Sequence, residues 1–145
     1  MADQKLKEIA KKRLKDGWIR SWMMIEVLAS SENAAKIALE NHIKKMEKEK
    51  NTIVYTKKFK EITKIEKPTP QIPVAYSNVV EVDILVKNLE TLVIVVMTYA
   101  PSATEIIEPE NLKIDIGEAQ SILNSVADMM HKFAAAGLGG VVINS

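Results

Sequence analysis

Along this chain strict alternation of apolar and polar positions marks two stretches, helical spacing marks three, and one stretch satisfies both patterns. The doubly marked stretch runs from Leu89 to Tyr99. Its valine, isoleucine and threonine content favours a strand. Its Leu89, Leu92, Val93, Val96, Met97 and Ala100 recur at helical spacing, which favours a helix. The flanks decide between them. Asn88 is a strong N-cap, Glu90 suits the first turn, and Pro101 stops a helix where this one should end. The β-branched residues cost about 2 kcal/mol in total, less than burial of one Leu/Val/Met face returns. A helix is therefore expected. Ile94 and Val95 lie off its main stripe, so it is apolar on two sides, and both residues should be covered by a neighbouring helix or a second subunit.

The two clean alternations are strands. From Trp18 to Ala29, Ile19, Met23, Ile25 and Val27 share one face, while Trp18, Arg20, Trp22, Met24, Glu26 and Leu28 share the other. From Val79 to Lys87, Val80, Val82, Ile84 and Val86 point inward. Helical spacing marks residues 3–15, with Leu6, Ile9, Ala10 and Leu14 on one side and lysines elsewhere, up to Gly17. A second helix opens at Ser30 or Ser31 and carries Ala35, Ala38, Leu39, His42, Ile43 and Met46 to about Lys50. A third opens on the capping box Asp115/Glu118, presents Ala119, Ile122, Leu123, Val126, Met130 and Phe133, and runs to about Ala135, before the candidate cap Gly137. Weaker strands fall at Thr52–Phe59 and Ala103–Ile107. Beyond Phe59 the alternation falters, as in a bulge or an edge strand twisting away. Lys67 to Pro73 holds three prolines and reads as a semi-rigid extended connector. Residues 111–116 either extend the last strand or return beside it.

This order predicts an α+β, ferredoxin-like βαββαβ antiparallel sheet with two helices on one face and additional N- and C-terminal helices. The division expected is one domain: a helix over 1–16, the core over 17–109, a helix over 116–136 and a flexible tail over 137–145. Were 89–99 a strand, it would instead form a hairpin with 79–87 and give a more β-rich meander. Locally, Leu89, Glu90, Leu92 and Val93 followed by the run from Tyr99 to Pro109 resemble the helix-then-strand end of the ferredoxin-like C-terminal extension of WYL-domain transcriptional regulators. The resemblance implies the same fold and a role in ligand-dependent control and assembly. The rest of the chain matches neither a helix-turn-helix nor a WYL core, and no binding residue carries over.

Composition narrows the function classes. The 145 residues are 47% hydrophobic and 27% charged, with a net charge of +1 and no cysteine. Near-neutrality removes a global field toward nucleic acid or anionic membrane. Absence of cysteine removes disulfides, thiolate nucleophiles and Cys-based zinc sites. No signal-like or membrane-spanning apolar run is present, so a cytoplasmic protein without a membrane partner is expected. Abundant Lys, Glu and Ile lean toward a thermophile-like composition. No phosphate-cradling loop or H-E-x-x-H motif occurs, and Gly137 to Gly140 follows a helix instead of opening one. His42 reads as a packed, hydrogen-bonded side chain. Regular alternation sets Glu105 and Glu108 on opposite faces, as solvated rim residues. No catalytic residue, metal site or cofactor is expected.

What remains is the mixed strand face. Trp18, Arg20, Trp22, Met24 and Glu26, with Ile94 and Val95 on the helix, are the candidate ligand or interface residues. A non-catalytic, homo-oligomeric regulatory or small-ligand-binding module is the leading expectation, with a second copy and a small molecule as partners. RNA binding through the open sheet face and the lysine-rich segments is the alternative, because exposed aromatics beside basic groups can stack bases.

Overall fold

The computed structural model describes residues 2–136, and the expected flexible tail and Gly137 cap lie outside them. Nine elements follow in order: α1 (Ala2–Lys15), β1 (Ile19–Ala29), α2 (Glu32–Glu47), β2 (Thr52–Phe59), β3 (Thr63–Thr69), β4 (Ile72–Val86), α3 (Leu89–Tyr99), β5 (Ala103–Glu108) and α4 (Ile116–Ala135). The sheet order is β2-β4-β1-β5, antiparallel throughout, with β3 also on β4. With β1, β2, β4 and β5 taken as the four core strands, this is the ferredoxin-like arrangement, and α2 and α3 are its two crossover helices.

Alternation builds the core. Ile19, Met23 and Ile25 of β1 pair with Val86, Val82 and Val80 of β4, and all are buried. Leu39, Ile43 and Met46 of α2 and Leu92, Val95 and Tyr99 of α3 close over them. Ser31 caps α2 by accepting from the Ala34 amide at 3.1 Å. Asn88 caps α3 by accepting from the Thr91 amide at 2.9 Å. Ala100, in the left-handed region at φ 45°, ends α3 just before Pro101.

The helical reading of 89–99 holds, but its buried stripe is turned. Core contact falls on Leu92, Val95 and Tyr99, with Leu89 and Val96 packed beside them. Val93 and Met97 lie further round, half-buried, on the side of Glu90, whose carboxylate accepts from the Ser125 hydroxyl of α4 at 3.4 Å. Val95 is therefore covered within the chain, whereas Ile94 is 39% exposed. Nearly every position of α3 is apolar, so two overlapping stripes fit the helical period and spacing alone does not choose between them.

The proline-rich stretch is not a connector. It is the turn of a hairpin: Thr69 pairs with Ile72, Glu66 with Val74 and Thr63 with Ser77. Pro68 follows Lys67 (φ 49°) at a bulge, Pro70 lies in the turn, and Pro73 is near the start of β4. Those are places where a missing amide is tolerated. β2 and β3 thus share one edge of the long β4, and the Lys60 amide bridges the break to the Val79 carbonyl at 2.8 Å. Residues 111–115, expected to extend or return the last strand, form neither strand nor helix.

Tyr99 ties the helix layer together. Its hydroxyl donates to Glu49 at 2.7 Å, just past α2, and its carbonyl lies 3.2 Å from Nε2 of His42. The His42 ring also meets the Tyr99 ring edge-on at 4.9 Å. His42 is thus the packed residue expected. Burial, and then the Glu49 contact, raise the Tyr99 phenol well above its ordinary value. Urea unfolding should show Tyr99→Ala losing about 4 kcal/mol and Asn88→Ala about 1 kcal/mol. Equal losses would mean that the cap, and not the buried ring, holds α3 in place.

Candidate ligand site on the open sheet face

The face turned away from α2 and α3 carries the side chains that the alternation of β1 set apart. Arg20, Trp22, Met24 and Glu26 lie along it, opposite Leu85, Asp83, Glu81 and Val79 of β4. Arg20 is clamped: Nε donates to Asp83 Oδ1 at 2.9 Å and Nη2 to Oδ2 at 2.8 Å. Such a fork fixes the guanidinium plane as well as its charge. Nη1 lies 3.9 Å from Glu108 Oε1, and the guanidinium stands 5.6 Å from the Tyr55 ring centre. The Asp83 hydrogen bond holds the Arg20 pKa above its ordinary value, so this site keeps a permanent cation.

Two bulges assemble this group. β5 shifts register between Arg20 and Ser21, so Glu108 pairs with Arg20 and Glu105 with Trp22. The two glutamates share the open face, against the expectation of opposite faces, because one extra residue in β5 reverses the alternation. β2 shifts between Val54 and Thr56, which leaves Tyr55 outside the regular pairing and beside Arg20. Ser21, fully buried, donates to the Glu105 carbonyl at 2.9 Å at the first of these bulges.

α1 covers one end of the face. Leu85 points that way by register yet is fully buried, and Ala10 of α1 is buried as well. Between helix and sheet lies an open recess of about 390 Å³, lined by Lys7, Glu8, Lys11 and Leu14 of α1 and by Arg20, Tyr55 and Glu108. Further along, Glu81 receives Lys60 Nζ at 2.8 Å. That bond, with a contribution from the Trp22 side chain, holds the Glu81 carboxyl below the ordinary carboxylate range. Glu26 accepts from Ser77.

The expected site residues divide. Arg20, Trp22, Met24 and Glu26 share one surface. Trp18 stands just before β1, with the Arg13 guanidinium 4.8 Å over its ring. Ile94 and Val95 belong to the layer on the far side of the sheet. Asp83, Tyr55 and Glu108 complete the Arg20 group and were missed as site residues. Among the described residues no cluster of His, Asp or Glu is placed to hold a metal ion, and no helix is long and apolar enough to cross a membrane.

The sequence profile of the MJ0538 family matches residues 20–144. The chain belongs to the MJ0538 family. The shared part begins at Arg20 and takes in the whole sheet and α4, so α1 lies outside it. No curated protein and no solved structure matches the chain.

Arg20→Lys should cost about 1 kcal/mol in urea unfolding, because an ammonium cannot span both Asp83 oxygens. Glu81, with its lowered folded-state pKa, adds stability that is present above its ordinary value of 4.5 and lost as pH falls through the lower folded value. Glu81→Gln should therefore flatten the acid limb of the stability–pH curve and leave its alkaline limb unchanged.

Proposed function

We propose that this MJ0538-family chain is a homo-oligomeric, non-catalytic regulatory module that binds a small molecule in the recess between α1 and the open sheet face. The recess itself carries this reading. It joins Arg20 and two lysines, which outnumber the carboxylates of Glu8 and Glu108 there, to the apolar surface of Tyr55 and Leu14. That combination suits a small molecule with an anionic group and an apolar body. Asp83 is committed to Arg20 and Glu81 to Lys60, which favours binding over acid–base chemistry. A cytoplasmic setting belongs to the same reading.

The face as a whole opposes a polyanion. On the sheet itself Glu26, Glu81, Asp83, Glu105 and Glu108 stand against Arg20, Lys58 and Lys60, with Lys7 and Lys11 confined to the α1 end. RNA would bring its phosphates toward those carboxylates.

A panel of small carboxylates and organic phosphates, scored by the shift in melting temperature, tests the proposal. At least one should raise the Tm saturably, and both Tyr55→Ala and Lys11→Ala should weaken its binding about tenfold. Salt-sensitive retention of a mixed RNA pool, lost in Trp22→Ala, with no small molecule stabilising the protein, would replace this reading by the nucleic-acid one.

A further inference from the structure

α4 carries more apolar surface than the described residues cover. Its half-buried line, Glu118, Ile122, Ser125 and Met129, faces α3. A second line runs beside it: Ile116, Ala119, Leu123, Val126, Met130 and Phe133. The intervals are three, four, three, four and three, the spacing of a helix-on-helix seam. Its four large end and middle residues are open to solvent, Ile116 at 87%, Leu123 at 64%, Met130 at 48% and Phe133 at 36%. The sequence pattern marked most of this line as a buried face, yet among the described residues only Val126 of its members is even half-buried.

We propose that this seam pairs with the same seam of a second copy, antiparallel, about a twofold axis between Leu123 and Val126. The proposal rests on the self-association reading above and names the surface that performs it. In this register Ile116 meets the partner's Phe133, Ala119 meets the partner's Met130, and Leu123 meets the partner's Val126. The smallest member thus faces the most adaptable one. Along the seam the flanking positions are Gln120, Ile122, Ala127, Met129 and Ala134, so two identical copies bring no like charges together. The ends are complementary. Asp115 opens α4, while His131 and Lys132 lie in its last turns, and an antiparallel partner sets the one near the other two. The helix dipoles then also run in opposition. A lipid surface is a poorer occupant. The polar side of α4 pairs Asp128 with Lys132 at 3.1 Å and lacks the row of basic residues that membrane-surface helices carry.

Sedimentation equilibrium of the full chain at tens of micromolar should give a dimer. Leu123→Glu and Met130→Glu should each weaken it about 100-fold with an unchanged circular dichroism spectrum, since both positions are exposed in the single chain. The chain has no cysteine, so orientation can be read by oxidation. Ala119→Cys with Met130→Cys should cross-link two copies. Ala119→Cys alone should not, because an antiparallel pair holds those residues about 16 Å apart along the axis, beyond disulfide reach. A dimer unaffected by both glutamate variants overturns this seam while self-association stands. A wild-type monomer overturns both. Cross-linking by Ala119→Cys alone overturns the antiparallel arrangement.

Discussion

Burial of Leu92, Val95 and Tyr99 against the sheet is the interaction on which the remaining structure depends. Seven of the eleven residues of α3 are Val, Ile, Thr or Tyr, poor helix formers at a few tenths of a kcal/mol each. Isolated, the segment would not hold a helix. Burying its three core side chains returns roughly 2 kcal/mol each, which exceeds that penalty. The Asn88 cap and the left-handed Ala100 set its ends, and Tyr99 joins its last turn to His42 and Glu49 at the end of α2. Without α3 in this position, β5 would not return to the edge of β1, and α4 would have no helix to lie on.

From that packing follows a division of surfaces. One side of the sheet is committed to the core. The other holds a lattice of paired charges around Arg20 and Asp83, partly roofed by α1. The outer side of α3 receives α4, and α4 leaves its seam, half-buried Val126 apart, uncovered by the described residues. Ligand recess and seam therefore sit on opposite sides of the sheet. They can be altered independently, which is what separates a binding defect from an assembly defect.

The fold was legible in the sequence wherever burial is one-sided. The alternation of β1 and β4 placed Met23, Ile25, Val80 and Val82 correctly, because a strand with one covered face writes its period into the chain. Caps and the proline stop identified α3. The β5 bulge, made by a single inserted residue, was not legible, for it moved Glu105 and Glu108 without leaving a compositional trace. The prolines at 68, 70 and 73 suggested a connector, although each occupies a position where an edge hairpin tolerates one. The run Ile53, Val54, Tyr55 did carry a usable signal, since strict alternation cannot place three consecutive large apolar side chains. In α3 the difficulty was opposite in kind. An almost uniformly apolar helix offers two stripes, and only the neighbouring layers select one.

Native-state hydrogen exchange resolved to single amides tests most directly whether α3 holds the layers together. The amides of Val95, Val96 and Tyr99 should exchange as slowly as those of Val80 to Val86 in β4, with the same dependence on low urea, because α3 and the sheet open only together. Exchange of α3 many-fold faster than β4, independent of urea, would contradict this, for the sheet would then stand without the helix.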